Sequence, residues 1–248
     1  MNACRLPVSV QQVQHKGLYL DKFLPGKREK GQKKEQEDPQ ADALRALGGS
    51  RCDTAVYKLA YGRWRDYWMN RGESVVCREG VVRDRLAIGL GMESVLENGV
   101  RLQHAYGTPL IPGSSLKGVL RRGLAPEHRD EQREDRRNVE WFLFGSTKRE
   151  GAARFHDAWW VPDSTPPLAL DVLTPHHQDY MQYKGPPTDF DAPIPVQFLT
   201  VRGSFLFVVE TPNASWKKYL DALLRDVLRR EGIGAKRSAG YGVIDVRA

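Results

Sequence analysis

The residues best suited to chemistry lie in two basic, glycine-punctuated stretches. The first is Pro109-Leu-Ile-Pro-Gly-Ser-Ser-Leu-Lys-Gly-Val-Leu-Arg-Arg122. Ser114 and Ser115 stand where a helix N-cap belongs, so their hydroxyls can accept from the otherwise unpaired amides of a first turn. Lys117 and Arg121, four residues apart, share one face of that helix. Free amides, a favourable dipole and nearby cations suit a phosphate. An ordinary strand-to-helix connection with surface cations carries the same residues. The second stretch is Gly232-Ile-Gly-Ala-Lys-Arg-Ser-Ala-Gly-Tyr-Gly242, in which four glycines bracket Lys236, Arg237 and Ser238. Gly234 and its neighbours free the backbone to approach a partner and to present amides to an anion, with Tyr241 in the same loop. A tight hairpin with incidental charge is the alternative.

Three histidines can also do chemistry. His104, shortly before Pro109, can contact nucleic acid or act as a general base. His176 and His177, with Asp179, can form a metal or acid-base site, or serve as contact surface in a proline-rich loop. Gly89-x-Gly91 lacks both the following helix and the acidic residue of a dinucleotide fingerprint, and no Gly-Lys-Ser/Thr phosphate loop exists. No cofactor and no metal are expected.

The elements that must hold these residues follow from hydrophobic period. Leu116, Val119, Leu120 and Leu124 define the buried stripe of the helix behind Pro-Gly-Ser-Ser. Arg85 to Leu90 reads as a first core strand and Val100 to Tyr106 as a second extended segment. Val139 to Gly145 is an apolar helical turn ended by glycine. Arg154 to Val161 and Leu168 to Leu173 read as strands, and Ser204 to Val209 as a buried central strand. Trp216, Tyr219, Leu220, Leu223, Leu224, Val227 and Leu228 mark the clearest helix, closed by Arg229 and Arg230. Val243 to Val246 is a last strand. This order predicts an α+β fold: a ferredoxin-like, RNA-recognition-type β-α-β-β-α-β sandwich with insertions and an N-terminal helical extension. Residues 1–80 are expected as that extension, with a mobile charged segment near 25–50 and a helix near 53–69, and residues 81–248 as the main domain. In the 53–69 helix Trp64, Tyr67 and Trp68 alternate with Lys58, Arg63 and Arg65, a pattern that serves either nucleotide stacking or a core face opposite a solvent face. Thr174 to Pro195 is a proline-laden connection long enough to be a functional protrusion.

With 248 residues the chain can bury a substantial core. Its net charge of +7 and pI near 9.3 favour a polyanionic partner. Cys4, Cys52 and Cys77 form no paired spacing, so reduced thiols in a cytoplasm are expected. No apolar run reaches membrane-span length, and no membrane partner is expected.

Ile111-Pro-Gly-Ser-Ser-Leu-Lys-Gly118, joined to the C-terminal Gly-x-Lys-Arg-Ser-x-Gly-Tyr-Gly, resembles the RAMP (repeat-associated mysterious protein) superfamily of CRISPR-associated proteins. Gly89 to Gly99, His104 to Pro109, Asp171 to His176 with Asp179 and Tyr180, and Pro195 to Val201 are similar to the sixth-subunit family of the type III-B Cmr effector complex. The resemblance runs from residue 85 to 247. It implies a ferredoxin-like fold, a place at the end of a helical filament beside neighbouring RAMP subunits and small helical subunits, and binding of the CRISPR guide RNA near its 3′ region beside the target RNA. On this reading the residues of the two basic stretches are expected to bind RNA: Ser114, Ser115, Lys117, Arg121, Gly234, Lys236, Arg237, Ser238 and Tyr241, together with His104. The resemblance implies no catalytic site. RAMP subunits that cut target RNA carry an aspartate between the first strand and the Pro-Gly-Ser motif, whereas here Arg85 to Lys117 contains none, and Glu93, Glu97 and Asn98 occupy the region. The alternative is a metal-independent RAMP endoribonuclease acting on repeat RNA through His104 or His176.

Overall fold

A computed structural model describes residues 9–26, 39–92, 94, 96, 98–124, 134–174, 185–186 and 195–247. In chain order its strands are β1 (Val75–Val82), β2 (Leu110–Ile111), β3 (Arg154–Phe155), β4 (Ala158–Trp160), β5 (Leu168–Leu173), β6 (Val196–Val201), β7 (Ser204–Glu210) and β8 (Ile244–Val246). Its α-helices are α1 (Lys16–Leu18), α2 (Pro39–Leu47), α3 (Ala55–Met69), α4 (Gly113–Leu124), α5 (Glu134–Phe144) and α6 (Ala214–Arg230). The main sheet runs β2-β4-β7-β1-β8, antiparallel throughout, with β3 also on β7, while β5 and β6 pair as a separate two-stranded sheet. The molecule is thus of the α+β class expected from its sequence.

The apolar run of β7 is buried from Ser204 to Val209 and centres the core, with β1 along one side of it. α6 packs on one face of this sheet. Asn213 caps it by accepting from the amides of Ser215 and Trp216, and Leu220, Leu224, Val227 and Leu228 form its buried stripe. α4 crosses α6 where Gly123 sits directly against the Val227 side chain, so the glycine sets how closely the helices approach. α3 lies on the opposite face. Its Tyr57 hydroxyl donates to the Trp160 carbonyl, Trp64 stacks on Trp159 at 5.2 Å, and Trp68 packs on His156 at 4.4 Å.

Three expectations need correction. The first core strand is Val75–Val82 rather than Arg85 to Leu90. Arg85 to Leu90 contributes only isolated bridges, Leu86 to Val201 and Ala87 to Ala235, before Gly89 turns at φ +85°. Val100 to Tyr106 gives a single bridge, Leu102 to Pro109, and a turn. Within the charged 25–50 segment, Pro39–Leu47 is a helix, because Ala43, Leu44 and Leu47 recur at helical spacing and are buried. Residues 27–38 lie outside the described residues, as do Cys4, Glu93, Glu97, His176, His177 and Asp179. No helix among the described residues is long and apolar enough to cross a membrane.

Candidate nucleic-acid interface

The glycine-rich loop leaves α6 and returns as β8. Gly232, Gly234, Gly240 and Gly242 all have positive φ, and Lys236 shares that left-handed conformation at φ +57°. Most of the loop's amides are used internally. Ala235 donates to the Ala87 carbonyl at 2.7 Å and Gly242 to the Arg85 carbonyl at 2.7 Å, while Ala239 and Tyr241 donate to Lys236 O and Gly240 to Arg237 O. The glycines therefore shape a tight loop around Arg237–Ala239, and of the amides from Gly234 to Gly240 those of Ala235, Ala239 and Gly240 are taken by backbone carbonyls.

What the loop presents is side-chain charge. Lys236, Arg237 and Ser238 line an open concavity of about 620 Å³ with Arg230 and Glu231. Glu231, at the end of α6, gathers three guanidinium groups within 4 Å: Arg122 of α4 at 3.6 Å, Arg230 at 3.5 Å and Arg237 at 3.7 Å. Arg230 also lies 3.5 Å from Asp226, so two carboxylates face three arginines, and Lys236 in the same concavity adds a fourth cation. Planar guanidinium forks matched in this way to one carboxylate suit phosphate oxygens equally well.

The start of α4 is differently arranged. The Gly113 amide donates to the Asp157 carboxylate at 2.7 Å, and Ser115 and Leu116 donate to the Pro112 carbonyl. A side-chain carboxylate already sits where a phosphate was expected, so Ser114 and Ser115 are not the capping groups at this end. Ser114 is exposed and Ser115 and Lys117 half-buried. Arg121 is held by Glu140 of α5 at 2.6 Å, while its neighbour Arg122 turns to the loop cluster. The two stretches singled out in the sequence are thus joined, but through Arg122 and Glu231.

Tyr241 looks the other way. Its hydroxyl donates to Asp171 of β5 at 2.8 Å, with Arg85 at 3.5 Å from the same carboxylate oxygen. Burial, together with Asp171, pushes the phenol up to about 12. His104 stands in an exposed turn, its carbonyl 2.9 Å from His15 Nε2. Its ring has no hydrogen bond among the described residues. The histidine that does meet a carboxylate is His156, with Nε2 2.7 Å from Glu210 Oε1, and it packs beside Trp64 and Trp68. No group of three or more potential metal ligands occurs among the described residues.

The aromatic residues of α3 also resolve. Tyr57, Tyr61 and Trp68 are buried against the sheet, so this face is a packed layer rather than a stacking platform. Arg122, Arg230 and Glu231 are the residues the sequence reading missed as site components. Their signal was available: paired arginines in the last turn of each of two amphipathic helices, with Glu231 immediately before the glycine loop.

A model of the RAMP superfamily matches residues 81–245, and the chain belongs to that superfamily. Within it the chain is related to the CRISPR system Cmr subunit Cmr6. It is 30% identical over 246 residues to the CRISPR system Cmr subunit Cmr6 of Pyrococcus furiosus, a match spanning 75% of this chain and 72% of that one. It is 25% identical over 203 residues to the Cmr6 subunit of Saccharolobus solfataricus, spanning 77% and 66% respectively. The fold is shared with a chain of the type III-B Cmr-beta complex bound to cognate target RNA, with a TM-score of 0.68 and 22% identity over 84% of this chain and 71% of that one.

Proposed function

We propose that this chain is a non-catalytic RNA-binding subunit of a CRISPR type III-B effector complex, contacting guide RNA near its 3′ region and neighbouring RAMP subunits at the end of the filament. The carrying observation is the excess of cations beside the glycine loop: Arg122, Arg230 and Arg237 gather on Glu231, Arg230 also meets Asp226, and Lys236 lines the same concavity. Such a site takes the phosphates of an RNA backbone and reads no base. Two further observations support this. The antiparallel order β4-β7-β1-β8, with α4 before β4 and α6 before β8, supports reading the sheet as a ferredoxin-like sandwich, and α3 closes the face opposite those helices. The RNA contact therefore belongs to the loop edge. The nuclease alternative needs an acid-base pair, and His104 has no carboxylate beside it among the described residues.

Replacing Lys236 and Arg237 together by Ala should weaken binding of single-stranded RNA. It should also reduce the slope of log affinity against log salt by about 1.4, as expected for two lost phosphate contacts. Circular dichroism checks that the loop change leaves the fold intact. Unchanged affinity across the salt titration would sink the assignment. Cleavage of repeat RNA lost on His104→Ala would favour the nuclease instead.

A further inference from the structure

A second basic concavity, of about 400 Å³, opens between α2 and the β5–β6 hairpin. Its cations are Arg45, Arg85 and Arg202, and its walls include Gly48, Gly49 and Pro166. It adjoins the glycine loop directly. Arg85 O accepts the Gly242 amide, and Asp171 is shared between the Arg85 guanidinium and the Tyr241 hydroxyl.

From this juxtaposition we propose that the groove is a second phosphodiester site, so that RNA runs from the Glu231 cluster across the glycine loop to Arg202 and Arg45. The proposal rests on the RNA-binding reading above and deepens it. The three arginines come from separate elements: a helix, the segment after β1, and the β6–β7 turn. The turn is held firmly, since the Arg202 amide donates to Pro167 O at 2.9 Å and its carbonyl accepts from Trp160 Nε1 at 3.0 Å. The Arg202 guanidinium, fixed at its base in this way, has no ion-pair partner among the described residues. Arg85 forms the floor, donating to Leu170 O at 2.6 Å. Arg45 stands at the rim, paired with the exposed Asp42 at 2.8 Å, a surface pair that a phosphate can replace at little cost. The carbonyl end of α2 also faces this region, and an open helix end would repel an anion. Two of its last four carbonyls are occupied, Leu44 O by the Gly48 amide and Leu47 O by the Ser50 amide and hydroxyl, and the cations at the groove offset the rest. Gly49, at φ +96° with open space where a side chain would stand, keeps the entrance clear.

The test uses the full chain and oligouridine of two lengths, about 4 and about 20 nucleotides, titrated against salt. In an Arg45→Ala, Arg202→Ala double variant, the 20-mer, which spans both grooves, should lose about 1.4 from its salt slope, while the 4-mer, which can still occupy the Glu231 cluster, should lose less. An unchanged 20-mer slope, with the Lys236→Ala, Arg237→Ala variant still impaired, overturns the second site and leaves the first standing. If neither variant alters RNA binding, the RNA reading itself falls. If the Arg45 and Arg202 variant binds both RNAs normally but fails to enter the assembled complex, the groove is a protein contact and the proposal is wrong.

Discussion

Gly113 shows how much of the Pro-Gly-Ser-Ser motif is architecture. A Cβ there would collide with the Phe155 carbonyl oxygen and come within 2.9 Å of the His156 carbonyl carbon, both backbone atoms that cannot swing away. Gly113→Ala should therefore cost about 1–3 kcal/mol, measured as a fall in urea midpoint at constant slope. Asp157, whose carboxylate accepts the Gly113 amide, acts as the helix cap, so Asp157→Ala should cost about 1 kcal/mol in the same assay. The sequence offered Ser114 and Ser115 for this role because they adjoin the helix. The true acceptor lies in the β3–β4 turn, a long-range pairing that local spacing does not reveal. Lys236 and Arg237 were legible because glycines isolate them. Arg121 and Arg122 differ by one helical step, about 100°, and only packed neighbours decide which of them meets Glu140 and which meets Glu231.

At the scale of elements, β1 and α6 are stapled by Arg78, which makes two hydrogen bonds to Asp221, at 2.7 and 3.0 Å. Burial alone would raise the Asp221 carboxyl, but Arg78 and then Arg225 outweigh it and hold the group below its ordinary 3.8. Because the folded value is depressed, the stabilisation is present above the ordinary carboxylate range and disappears as pH falls through the folded value. Asp221→Asn should cost about 1–2 kcal/mol at pH 7, and the difference in stability between the two proteins should shrink as pH falls below the ordinary carboxylate range. The same staple explains why β1 was misread. Its middle, Arg78-Glu79-Gly80, breaks the apolar pattern, yet Arg78 is paired on α6, and Gly80 packs so closely on Ile244 and Phe207 that a side chain would clash. Arg85 to Leu90 carries a cleaner apolar pattern and makes only bridges. By contrast α4, α6 and β7 were legible because one buried stripe or one buried run fixed each of them.

For the whole molecule, the +7 charge and the core are separable. The core is apolar burial, while the proposed RNA track consists of cations at exposed or half-exposed positions. Raising salt from about 0.1 to 1 M should therefore release RNA while the near-ultraviolet dichroism stays native, since screening acts on exposed charge and hardly on buried area. Loss of both signals together would mean that the cations hold the fold. The class of fold and the two basic stretches could be read from order and period. The groove joining α2 to the β5–β6 hairpin could not, because its arginines are distant in sequence and only folding brings them together.

The sheets also end in a particular way. The main sheet stops at β2, two residues long, and at β8, three residues long. In the smaller sheet, the Leu168 and Leu170 carbonyls of β5 are taken by the Gly49 amide and the Arg85 guanidinium, while Val201 of β6 pairs with Leu86. Among the described residues the ends of the main sheet offer only short ladders to template another strand. Recognition of a neighbouring chain therefore rests more on side chains and loops than on lengthening this sheet, so that shape and charge discriminate between partners.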